Sequence, residues 1–182
     1  MARLPYLDLA DIAAEHHDLL ARKINLNKIL VHSPAAARAF GKLGGHIRFK
    51  SKLDPRLREL AILQVGYLTR SAYEYSHHIK IGREFGVSDD DIRGLIDENS
   101  GKPSNLDPLT KAVLQAAREM THKITLSDET FATLNQHMDA ETIVELIVAI
   151  AFYNGVVRLL AALQIDVEDD YKTYLNAFPL PK

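Results

Sequence analysis

Apolar positions recur at helical spacing along most of the chain, and almost nowhere do they alternate as a half-buried strand requires. From Asp8 to about Lys23, Ile12, Leu19 and Leu20 recur at roughly helical spacing, with Ala10, Ala13 and Ala14 supporting a helix. Asn25 to His32 reads as a short helical turn. Ser33-Pro34 then pairs an N-cap with a proline at the first helical position, and the helix is expected to stop at Gly44-Gly45. His46 to Leu53 alternates but has no partner strand, so it reads as a connection. Asp54-Pro55 opens a helix to about Leu68, Thr69-Arg70-Ser71 makes a turn, and a second helix runs from Ala72 to Phe85 before Gly86. Ser88 caps the next, with Asp89, Asp90 and Asp91 favoured in its first turn by the helix dipole. After the loop from Asn99 to Leu106, Asp107-Pro108, Ser127 and Asp139 each start another helix, the last and longest reaching about Leu163. Its stretch from Ile143 to Ala151 is apolar on nearly every side except Glu145, which predicts burial on most faces or a contact between copies. Val167 to Ala177 is read as a final short helix. The pattern predicts an all-α bundle around the hairpin Pro55–Gly86.

Composition narrows the function. At 182 residues the expectation is one domain with a sizeable core, its central motif at 54–91 and a helical extension over about 1–50. The 22 Lys+Arg against 24 Asp+Glu leave a net charge of −2, so neither nucleic acid nor an anionic membrane is expected as a partner. No apolar run approaches the ~20 residues that span a bilayer, and no signal-peptide core is seen, so the expected location is cytoplasmic. There is no cysteine in the chain, which excludes disulfides, thiolate metal sites and thiol redox chemistry here.

The hairpin carries the densest set of titratable groups: Glu59, Glu74, His77 and His78. Glu74 and His78 are four apart and share a helix face, while Glu59 lies one helix earlier beside Ile62, Leu63 and Gly66. A surface Glu-His pair of this spacing is worth only about 0.3–0.5 kcal/mol. The remaining histidines share no ligand-like spacing, so no metal site is expected.

In this stretch Glu59 is followed after eleven residues by Ser71, then Glu74, His78 and, eight further on, Gly86, the frame E-x11-S-x-x-E-x-x-x-H. It resembles the carboxymuconolactone decarboxylase family, which shares its fold with the alkylhydroperoxidase AhpD. Through RLRELAIL, YEYSHH and FYNGVVRLLAAL the resemblance extends over about residues 35–165. It implies an AhpD-like all-helical bundle and association as dimers, trimers or hexamers. In the peroxidase branch the positions of Ser71 and Glu74 are cysteines, so thiol peroxidase chemistry is excluded here, whereas the decarboxylase branch is similar in having a Glu four residues before the His. The resemblance therefore implies a lyase without cofactor, working by acid/base chemistry on a small cyclic carboxylate or lactone. Glu59, Glu74 and His78 would be catalytic, with His78 as the proton donor, and Ser71, Tyr73, His77 and Arg158 would bind substrate. Two carboxylates would repel an anionic substrate, so a cation is needed, with Arg70, Arg83 and Arg158 as candidates. The alternative from another class is a non-catalytic, oligomeric binding module on the same scaffold. Burial separates the two, because an enzyme needs the three groups enclosed together.

Overall fold

The computed structural model describes residues 1–181 and contains only helices among them. Two 3-10 segments, Leu9–Asp11 and Ala14–Leu20, lead into nine α-helices. These are α1 (Asn25–Leu30), α2 (Pro34–Phe49), α3 (Pro55–Leu68), α4 (Ala72–Glu84), α5 (Asp89–Asn99), α6 (Pro108–His122), α7 (Asp128–His137), α8 (Ala140–Leu163) and α9 (Asp169–Ala177). Asp54, Ser71, Ser88, Asp107, Ser127 and Asp139 each accept a backbone N–H with the side chain, so the caps act where the sequence placed them.

The bundle is built around α3. Every residue from Leu57 to Tyr67 is buried, and α4, α6 and α8 pack against it from different sides. Such a helix has no solvent face, so its polar side chains need internal partners. Gln64 and Asn99 exchange hydrogen bonds of 3.0 and 2.8 Å, and Glu59 turns toward α4. α3 and α4 pass unusually close at Gly66, where a Cβ would sit 3.1 Å from the Tyr75 backbone nitrogen.

Three expectations need correction. Residues 8–23 form 3-10 segments and not one helix, because only Leu20 of the segments is buried and an apolar face is what holds a short helix together. Arg38 fastens the segment instead, bonding Asp18 at 2.6 and 2.9 Å. Second, α2 does not stop at Gly44-Gly45. It continues through the stretch read as a connection, because Gly44 packs beneath Phe152 and Ile47 is buried in the core. Third, α8 holds an 18-residue stretch with a mean hydropathy of 2.1 and is long and apolar enough by composition to cross a membrane. In the bundle its stripe Ile143, Leu146, Ile150, Tyr153, Val157 and Leu160 is buried against the core, while Val144 remains exposed.

Candidate active site

The α3–α4 hairpin sets Glu59 opposite His78, and the turn spacing within α4 stacks Glu74 on His78. The imidazole is held at both nitrogens: Nδ1 lies 2.6 Å from Glu59 Oε2, and Nε2 lies 2.8 Å from Glu74 Oε1. Behind Glu59, Arg58 donates through Nε to Oε1 at 3.0 Å, with its guanidinium over the Phe85 ring. All four side chains are buried. They form a row of alternating charge, Arg58, Glu59, His78, Glu74.

Burial alone would strip the proton from His78, but the charges and hydrogen bonds of Glu59 and Glu74 outweigh it and push the pKa up to about 9. Burial likewise opposes ionisation of Glu59, and the charges of His78 and then Arg58 reverse that, leaving its pKa below the ordinary value. At neutral pH His78 is therefore an imidazolium donating to both carboxylates.

The row opens into a cavity of about 260 Å³ at its Glu74 end. Glu74 and His78 line it, whereas Glu59 stands behind them. Tyr153 lies edge-on to His78, with ring centres 4.9 Å apart. Burial, then the Glu74 and Glu59 charges, raise its phenol pKa, so it stays a neutral donor. Phe40 and Phe152 give the cavity an aromatic wall. Its cations are Arg22 and Arg48, neither with an acidic partner among the described residues. Desolvation and then the like charge of Arg48 lower the Arg22 pKa.

The other expected binding residues divide. The Tyr73 and His77 rings line the cavity, stacked at 4.2 Å. Their polar atoms point away, since Tyr73 Oη lies 3.1 Å and His77 Nε2 2.7 Å from Glu168. Ser71 is no pocket residue: it caps α4, accepting from Glu74 N at 3.4 Å. Arg158 is exposed and folds back on its own helix, bonding the Asn154 carbonyl at 2.6 Å, and it does not line the cavity. Arg70 and Arg83 also lie outside the cavity, Arg83 being paired with Asp89.

Sequence reasoning missed Arg22, Arg48 and Glu168. Had His46–Phe49 been taken as helix, Gly41, Gly45 and Arg48 would have fallen on one face at i, i+4 and i+7. Arg22 and Glu168 lie in irregular segments where no period marks a side.

Residues 34–119 match the model of the carboxymuconolactone decarboxylase family. Among curated proteins, none matches the sequence. Three solved structures show the fold. An alkylhydroperoxidase AhpD core protein from Ralstonia eutropha JMP134, described as an uncharacterized peroxidase-related protein, is 19% identical with a TM-score of 0.79, over 100% of this chain and 98% of that one. A peroxidase-related protein from Silicibacter sp. TM1040 is 17% identical, TM-score 0.77, over 93% and 92%. A Cys-to-Ala variant of the debrominase Bmp8, in complex with 2,3,4-tribromopyrrole, is 18% identical, TM-score 0.84, over 98% and 100%. The family match is shorter than the expected 35–165 and ends before α8, whereas the structural likeness includes it. Residues 34–119, just under half of the chain, are thus similar to the carboxymuconolactone decarboxylase family, and the chain, which has no cysteine, has an AhpD-like helical fold.

Proposed function

We propose that this protein is a cofactor-independent lyase that decarboxylates a small cyclic carboxylate or lactone by acid/base chemistry. The observation that carries the reading is the buried row Glu59–His78–Glu74, which meets an aromatic cavity only at its Glu74–His78 end. Loss of CO2 breaks the bond to the carboxylate carbon and leaves its electron pair in a conjugated enolate. That enolate then takes a proton on carbon. His78 is the reservoir: its Nε2 proton passes to Glu74, and Glu74 delivers it to the substrate. This revises the role expected for His78, since both its nitrogens are already engaged. Glu59, held ionised by Arg58, keeps the ring charged, and water restores the proton afterwards. Arg22 and Arg48 bind a carboxylate of the substrate and offset the charge of Glu74. Thiol-dependent peroxide reduction or dehalogenation has no sulfur nucleophile to run on in this chain. Enclosure of all three acid/base groups, with a substrate-sized cavity beside them, favours the enzyme over the binding module.

The test is CO2 release from candidate lactone acids by the wild type, Glu74→Gln and His78→Ala. Loss of a general acid in a step of this kind costs about 10²–10⁴-fold in rate. Equal rates for wild type and either variant would remove that residue from the mechanism.

A further inference from the structure

A second concavity, a cleft of about 310 Å³, lies beside the reaction cavity and shares Arg22 and Ile24 with it. Lys23 and Lys80 bring the cations around it to three, with Tyr171 and Tyr174 as its aromatic surface. None of the three cations has an acidic partner among the described residues. The opposing acids are Glu168 and Asp170. Glu168 is committed elsewhere, with Asn25 N at 2.6 Å and Tyr73 Oη at 3.1 Å on one oxygen and His77 Nε2 at 2.7 Å on the other. Asp170 is exposed. The floor is fixed before any ligand arrives, because Tyr171 stacks on His77 at 3.6 Å and 4°, and His77 stacks on Tyr73. Lys80 Nζ is stationed 5.3 Å over the Tyr171 ring.

We propose that this cleft is an oxyanion subsite, taking the charged tail of a two-part substrate whose reacting ring lies in the neighbouring cavity. It rests on the reading of that cavity as the reaction chamber. An ammonium pair beside a guanidinium suits a carboxylate or a phosphate ester, both of which offer several acceptor oxygens to N–H donors. Arg22, common to both chambers, links the two halves of the ligand. The requirement on the substrate is a short flexible link between ring and oxyanion, able to pass over the Arg22–Ile24 rim.

Calorimetric titration of the full chain with inorganic phosphate and with succinate tests the site, and the tighter of the two names the oxyanion. The double variant K23Q/K80Q, altered at exposed positions, is expected to lose fivefold or more in affinity for the better probe. A smaller loss overturns the subsite. Phenyl phosphate, whose ring can follow the rim into the cavity, is expected to bind at least tenfold more tightly than phosphate. Equal affinity would overturn the junction of the two chambers. The variant Glu74→Gln separates this proposal from the catalytic one, since it is expected to leave phosphate affinity within twofold while CO2 release collapses. Intact phosphate binding with unimpaired turnover would sink the catalytic reading alone, and collapsed turnover without phosphate binding would sink only the subsite.

Discussion

At the scale of single residues the site is governed by one proton. His78 titrates near 9 in the fold against an ordinary 6.5, so it prefers to stay charged when folded. Its contribution to stability, on the order of 3 kcal/mol at about 1.4 kcal/mol per pH unit, is whole below pH 6.5 and drains away as pH rises through about 9. Glu59 works in the opposite sense. Its folded pKa is depressed below 4.5, so its contribution is present above that value and is lost as pH falls through the lower one. Turnover that draws on the His78 proton is expected to fall about tenfold per unit above pH 9. In Glu59→Gln the ring loses its strongest partner, and this alkaline limb should move down by about one unit or more. NMR titration of His78 beside the rate profile checks this. An unmoved midpoint in the variant would show that Glu59 does not set the charge. Glu59, Glu74 and His78 were legible as candidates from their spacing together with the family resemblance, but the way they pair was not. Which nitrogen meets which carboxylate depends on how close α3 approaches α4, and no sequence period encodes that distance.

Among the elements, the α3–α4 hairpin decides whether the row exists, and its narrowest point is Gly66. A methyl group there would meet Tyr75 at its backbone nitrogen, Cα and Cβ, 3.1 to 3.3 Å away. Backbone cannot swing aside as a side-chain tip can, so Gly66→Ala must push the helices apart. The expected cost is about 1–3 kcal/mol of stability, as for other overpacked interiors. Glu59 and His78 lie on the two separating helices and meet at 2.6 Å. Activity should therefore fall further than stability, measurable as a drop in kcat in protein that remains folded by circular dichroism. A variant as active as the wild type would mean that the hairpin tolerates spreading without loss of the relay. The elements themselves were largely readable, because proline and capping residues mark their starts. What escaped was the C-terminal half of α2, where packing of Gly44 under Phe152 and of Ile47 in the core overrode a double-glycine stop signal.

In the whole molecule, the N-terminal segment is bound to the stretch between α8 and α9. Arg3 N donates to the Leu163 carbonyl at 2.9 Å, and Tyr6 Oη donates to Asp166 at 3.0 Å. Glu168 then ties the start of α1 to α4 through Asn25, Tyr73 and His77. The segment held in place between these bonds carries Arg22 and Ile24, which wall both the cavity and the cleft. Sequence gave no hint of this closure, since Glu168 precedes a short helix with nothing to mark it as a partner of α4. Glu168→Ala would leave a backbone N–H, a phenol and an imidazole short of an acceptor, at a cost of about 2–3 kcal/mol. At roughly 2–4 °C per kcal/mol for a chain of this size, Tm should fall by about 4–12 °C. Hydrogen exchange should quicken over α9 and over residues 1–30 together, because one carboxylate restrains both. Substrate affinity is expected to weaken with it, as Arg22 loses its fixed place, while the His78 titration, which depends on α3 and α4, stays where it was. Faster exchange in α9 alone would mean that the N-terminal strap is held by the Tyr6–Asp166 contacts, and that Glu168 serves only to position His77.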